Sequence, residues 1–268
     1  MPLIKEDSTL DLRQELKEKH EILNNPKFGK DKNEREANLK KAQKVAAITK
    51  FAGIGIGIWT FIFIDHYKYA LIASIIFPVL CVFLLNYYKG LIRIEGRKNT
   101  TYPSILFGVF STITAVITRS FLDFKILDYT NVWVPIFVIA FLGIAFLLFR
   151  NEEFKFIKTN NFISILALLI LSFSYAYGSY ISLNCVYDTS KPEIFNTSIL
   201  EKRMTYGKRH TYYLKLTPWG KQIAPHEISV SQMQYDSHYK NEELKVYLMK
   251  GKFKIPWFEI TDKNTTLK

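Results

Sequence analysis

The chain has 268 residues, 49% of them apolar and 22% charged, and a formal net charge of +12. A mean hydropathy near zero describes no single class, because it averages a charged head, an apolar middle and a polar tail. Two cysteines, Cys81 and Cys185, exclude the disulfide framework of a small secreted domain.

Residues 1–44 form a basic, helical, cytoplasmic segment. Ser8 is placed to cap a helix over 8–24 that carries Leu12, Leu16, His20 and Leu23 on one side. Asn24-Asn25-Pro26 stops it, and a second helix starts near Asp31 with Glu34 three residues on. That helix runs into the first apolar run, either as a lipid-facing entry helix or as an arm for a partner. The long polar lead places no signal peptide before that run, which is expected to act as an uncleaved anchor.

Five apolar runs follow, at 45–64, 69–88, 103–122, 132–149 and 162–181. A helix of about 20 residues rises roughly 30 Å, the thickness of a bilayer's hydrocarbon core. The first run carries Lys50 near one end, the second contains Pro78, and the third is rich in Ser and Thr. The fifth ends on Ser174, Tyr175, Tyr177 and Tyr180.

Short basic flanks set the orientation. Lys27, Lys30, Lys32, Arg35, Lys40, Lys41 and Lys44 precede the first run. Lys89, Arg93, Arg97 and Lys98 follow the second, and Arg150, Lys155 and Lys158 follow the fourth. The opposite loops offer Lys68, Lys125 and Arg119. The N-terminus is then cytoplasmic and the tail lies outside the cytoplasmic membrane. The basic pI near 9.4 fits loops facing anionic lipid, and no nucleic-acid partner is expected.

Gly53 and Gly57 make a small-residue face for helix packing, either within the bundle or as a seam between two copies. Arg119 and Asp123 stand four apart on the third run, beside Thr118. They form a candidate intramembrane polar site, read as an interfacial ion pair or as part of a permeation path lined by Thr112, Thr114 and Thr118.

Residues 183–268 alternate short strand-like runs with turn signals: Ile199-Leu200, Thr211 to Leu216, Ile228 to Val230, Leu244 to Leu248 and Phe253 to Ile260, parted by Gly207, Pro218-Trp219-Gly220, Pro225 and Gly251. One short helix is expected within 231–239. Trp219, Trp257 and Tyr213 are candidate residues of an interaction surface. His210, His226 and His238, with Glu227, Asp236 and Cys185, match no compact ligand spacing. The familiar elbow, phosphate-loop and zinc motifs are missing, so no catalytic, cofactor or metal residues are expected. The sequons at Asn196 and Asn264 matter only in a eukaryotic secretory pathway.

The pattern Leu214-Lys215-Leu216, Pro218-Trp219, Ile228-Ser229-Val230, Tyr235, Val246-Tyr247-Leu248, Gly251 and Pro256-Trp257 resembles the C-terminal domains of uncharacterised bacterial multi-pass inner-membrane proteins. It covers about a third of the chain. It departs from them at Asn241-Glu242, where Gly-Asp is usual, and at Lys254-Ile255, where a second Gly is common. The resemblance implies a bacterial envelope and a folded tail, and no activity.

The expected fold is a membrane α-helical bundle of five transmembrane helices (45–182) with a small β-rich (α+β) C-terminal extracytoplasmic domain. The expected function is non-catalytic: the bilayer holds the protein, and the tail meets a protein or envelope component as sensor, assembly subunit or toxin-immunity protein. A homo-oligomer is compatible with this. A small channel or transporter through the bundle is the alternative.

Overall fold

The computed structural model describes residues 3–62, 67–94, 100–150, 162–206, 210–220 and 222–262. Ile64, Arg97, Lys98, Lys155, Lys158, Gly207 and Asn264, named above, lie outside the described residues. The chain divides into two compact units, Met1–Leu122 with Trp133–Ser182, and Asp123–Val132 with Leu183–Lys268.

The first unit is helical: α1 (Leu3–Asn24), α2 (Lys32–Ile62), α3 (Tyr67–Tyr87), α4 (Leu106–Asp123), α5 (Trp133–Arg150) and α6 (Phe162–Val186), the last residues of α4 and α6 belonging to the second unit. Between α1 and α2, Pro26–Phe28 form one 3-10 turn, capped by the Asn25 side chain. Arg35 ties this corner together, donating to the carbonyls of Leu23 (2.8 Å), Gly29 (2.8 Å) and Lys30 (3.2 Å). Asp31 caps α2 by accepting from the Glu34 amide at 2.8 Å, and Glu34 reaches back to the Lys30 amide at 2.7 Å.

Among the described residues, four helices are long and apolar enough to cross a membrane: α2, α3 over Lys68–Tyr87, α4, and α6 over Ile165–Val186. In α5 the apolar stretch Trp133–Leu148 is shorter. The third run begins its helix at Leu106 rather than at Pro103. Ser104 is occupied in an extended bridge with Arg93, and its hydroxyl accepts from the Leu106 amide at 3.2 Å. Helix α6 also continues past its expected end, so Cys185 lies within it; both cysteines are buried and free.

Large apolar side chains in this unit face outward as well as inward. Phe51, Leu80, Phe83, Phe107, Phe137 and Phe141 are 58–70% exposed, while Thr60, Ser74 and Thr112 are fully buried and apolar Leu71, Leu85 and Ile113 are buried too. A hydrocarbon exterior with hydroxyl groups inside is the arrangement lipid rewards. Pro78 withholds a backbone donor inside α3. In the turn before it, the carbonyl of Ile75 accepts from the Tyr175 hydroxyl at 2.8 Å, a bond between α3 and α6.

The second unit is a curled antiparallel sheet in the order β1-β6-β5-β2-β3-β4. Its strands are β1 (Lys125–Ile126), β2 (Glu193–Thr205), β3 (Thr211–Leu216), β4 (His226–Val230), β5 (Glu243–Met249) and β6 (Trp257–Asp262), with α7 (Gln232–Ser237) between β4 and β5. The long β2 joins both halves: Glu193–Ser198 pair with β5 and Ile199–Thr205 with β3, with a register shift between Ile199 and Glu201. A bulge there raises the local twist and bends the strand. The curl closes over Ile199, Leu214, Leu216, Ile228, Leu244, Val246 and Phe258, with Trp219 among them. Ser231 and Gln234 start α7 with a complete capping box.

Candidate functional site

The small residues of α2 are used inside the first unit. A Cβ on Gly53 would meet the Gly108 Cα at 2.6 Å, and one on Gly57 would meet the Ser111 carbonyl oxygen at 2.9 Å. A Cβ on Gly178 of α6 would meet the backbone of Ile117 at 2.9 Å. Helix α4 is therefore gripped at backbone distance by α2 and α6. By contrast Gly55, between the two glycines in sequence, faces open space.

Arg119 reaches across to the end of α2. Its Nε donates to the Thr60 carbonyl at 3.0 Å and a terminal nitrogen to the Phe61 carbonyl at 2.9 Å. The last carbonyls of a helix lack partners and carry partial negative charge, so a guanidinium is well matched to them. Beneath it, the Thr60 hydroxyl meets the Ala70 carbonyl at 2.9 Å and the Ser74 hydroxyl at 2.7 Å. Arg119 thus holds α2 in place. Thr118 and Asp123 are half-buried, Thr114 is exposed, and Thr112 donates to the Val109 carbonyl of its own helix at 2.9 Å. A cavity of about 480 Å³ between α3, α4, α5 and α6 is lined almost wholly by apolar side chains, Val79, Val109 and Leu171 among them.

In the second unit the candidate surface residues differ in burial: Trp219 and Trp257 are buried and Tyr213 is half-buried. Trp219 is 4% exposed, packed between Phe195 and Phe258 with ring centroids 6.0 and 5.2 Å away. Trp257 is 8% exposed and half-buried Tyr213 lies under the Arg203 guanidinium, 4.8 Å from ring centroid to charge. Large aromatics at turn and strand positions were free to face either way; the curl of the sheet draws Trp219 inward, while Trp257, next to core residue Phe258 on its strand, packs on Phe124 and donates its indole to Asp188. The histidines go to separate neighbours: His210 stands edge-on to Tyr206, and His238 lies 3.3 Å from Glu242, while Glu227 is held by Arg203 at 2.7 Å. Among the described residues no group of three metal-ligating side chains gathers.

Two arrangements escaped sequence reasoning. One is the staple of the β5–β6 loop. Fully buried Asn184, in the last turn of α6, donates to the Ile255 carbonyl at 3.0 Å and accepts from the Phe253 amide at 2.8 Å. Asp188 accepts from the Gly251 amide at 2.7 Å, the Trp257 indole at 2.9 Å and the Ser190 amide at 2.8 Å. Burial acts to raise the Asp188 carboxyl, but these bonds outweigh it and hold it below the usual range. Gly251 sits at φ +77, and a Cβ there would strike Asn184. Nearby in the sheet, burial pushes Lys125 down and Glu259 up, each opposed by the other's charge.

The other arrangement is a polar cleft of about 570 Å³ in the first unit, walled by the end of α1, the 3-10 turn, the turn after α3, and Tyr102. Lys27, Lys89 and Arg93 line it together with Glu21 and His20. Lys89 and Gly90 turn the chain with φ of 49 and 90. The Arg93 guanidinium lies 3.3 Å from the centroid of the buried Tyr102 ring, and its Nε is buried without a hydrogen-bond partner among the described residues. Segment 100–102 is fixed by α1: Glu18 accepts from the Thr100 hydroxyl at 2.7 Å and the Thr101 amide at 2.8 Å. Partial burial raises the Glu18 carboxyl, and these bonds more than reverse it, leaving it lowered. No family model, curated protein or solved structure matches the chain.

Proposed function

We propose that the protein is a non-catalytic integral membrane protein that crosses the bilayer five times and presents its sheet unit outside the cytoplasmic membrane to bind a protein or envelope component. The fifth crossing is α5. Its 18 residues rise about 27 Å, near the lower bound for a span, and it carries no charge from Trp133 to Phe149. The basic flanks supply the orientation.

The observation that carries the binding role is the edge of the sheet. Strand β4 ends the strand order, and among the described residues no further strand pairs with it. Exposed apolar side chains flank it in sequence, Ile223 at 93% and Met233 at 81%. An unpaired edge offers backbone donors and acceptors to an extended partner, and neighbouring apolar side chains supply affinity. The test compares capture of partners from detergent extracts by the intact protein and by an Ile223→Lys, Met233→Lys double variant. Loss of capture by the variant supports the reading. The same partners on both would remove the edge as the binding element. A carboxyl-terminal tag trimmed by protease on intact cells supports the orientation, and one cut only after lysis overturns it.

A further inference from the structure

We propose that the cleft formed by the end of α1, the turn after α3 and Tyr102 binds a phosphate group carried on a larger molecule. Among the described residues, Lys27, Lys89 and Arg93 line it with one carboxylate, Glu21, and the Glu18 carboxylate is turned to Thr100 and Thr101. That surplus of positive charge suits a dianion. Arg93 supplies the geometry. Stacking on the Tyr102 ring fixes the plane of its guanidinium at the wall of the cleft. A planar guanidinium donates two parallel bonds to phosphate oxygens, and the lysine ammonium groups meet the remaining charge. At about 570 Å³ the space exceeds one phosphate, so the rest of the molecule is accommodated too.

A soluble phosphorylated compound and a lipid headgroup share this chemistry. Arg93 follows the end of α3, a candidate span, by six residues, which puts the cleft at the level of a bilayer surface. Ile94, next along this extended stretch, lines the apolar cavity between the helices, so neighbouring side chains serve a polar and an apolar compartment. That pairing suits an amphiphile, and the lipid source is the expected one.

The experiment uses the full chain in an uncharged detergent. Native mass spectrometry follows retention of phosphatidylglycerol against a galactolipid of the same acyl chains. Thermal melting at constant ionic strength follows inorganic phosphate and pyrophosphate. The variants are Arg93→Gln and Lys89→Asn; asparagine tolerates the positive φ of residue 89, so this variant carries the test should Arg93→Gln not fold. Lys40→Gln, which removes an exposed lysine paired with Glu36, controls for diffuse charge. The wild type is expected to retain phosphatidylglycerol preferentially, each cleft variant about tenfold more weakly, and the control unchanged. Stabilisation by inorganic phosphate or pyrophosphate, lost in the cleft variants, would assign the site to a soluble ligand and equally support a phosphate site. Equal retention in all proteins with no phosphate-dependent melting shift would overturn it, as would an equal loss in Lys40→Gln.

Discussion

The two units solve opposite solvation problems with the same residue types. In the helical unit phenylalanines such as Phe137 and Phe141 point outward, and glycine and hydroxyl groups join apolar side chains such as Phe77, Leu85 and Ile113 in the contacts between helices. In the sheet unit Ile199, Leu214 and Leu216 are 0–1% exposed, and the charged pair Arg203–Glu227 lies outside. The difference shows where each unit keeps its specificity. Apolar burial gives no drive between helices in lipid, so close backbone approach and a few polar bonds decide how they pair. In the sheet the apolar core drives folding, and polar bonds fix one loop.

The comparison breaks most visibly at Gly53. Gly53→Leu puts a side chain where the α4 backbone runs and is expected to destabilise the protein by about 3 kcal/mol or more, whereas Gly55→Leu, facing open space, stays within about 0.5 kcal/mol. Thermal unfolding in detergent with size-exclusion profiles separates the two, and similar behaviour of both variants would remove the close-approach account. Next comes Asn184→Leu. It leaves the Phe253 amide and the Ile255 carbonyl without a partner, a loss of about 3 kcal/mol read from denaturant unfolding. Arg119→Gln strips the end of α2 and is expected to cost about 1–2 kcal/mol, with no change in reconstituted ion flux. A flux that changed would return Arg119 to a permeation role.

The smallest effect at neutral pH is electrostatic. Because the folded Asp188 carboxyl titrates below its unfolded value of about 3.9, its stabilisation is complete above that pH. It is lost as the pH falls through the lower folded value. The contribution of Asp188 to the melting of the sheet unit should therefore hold constant from pH 7 to about 5 and decline below about 4. Asp188→Asn should flatten the decline while lowering stability throughout. An unchanged acid limb in that variant would exclude Asp188 as its source.

Long apolar runs made the helices legible, because their length and lack of charge leave few alternatives. The sheet was less so. Strand β2 spans 13 residues where the sequence marks only Ile199-Leu200 as strand-like, since its other positions gain their extended state from pairing, Glu193 and Asn196 with β5 and Lys202 with β3. The two-residue β1 has no signal of its own and is recruited by the backbone of β6. Asn184 looks like the polar fringe of an apolar run until its loop partners are seen. Lys89 and Arg93 read as markers of membrane orientation, a role that leaves no further trace in sequence of the cleft they share with α1.

The placement of the indoles has a practical consequence. Of the four tryptophans, Trp59 and Trp133 are 38% and 43% exposed on α2 and α5, while Trp219 and Trp257 are buried in the second unit. Brominated acyl chains should dim the fluorescence of the first pair and spare the second, whose emission shifts to the red when acid or denaturant opens the sheet. The protein thus carries an intrinsic optical readout for each half, with no label required.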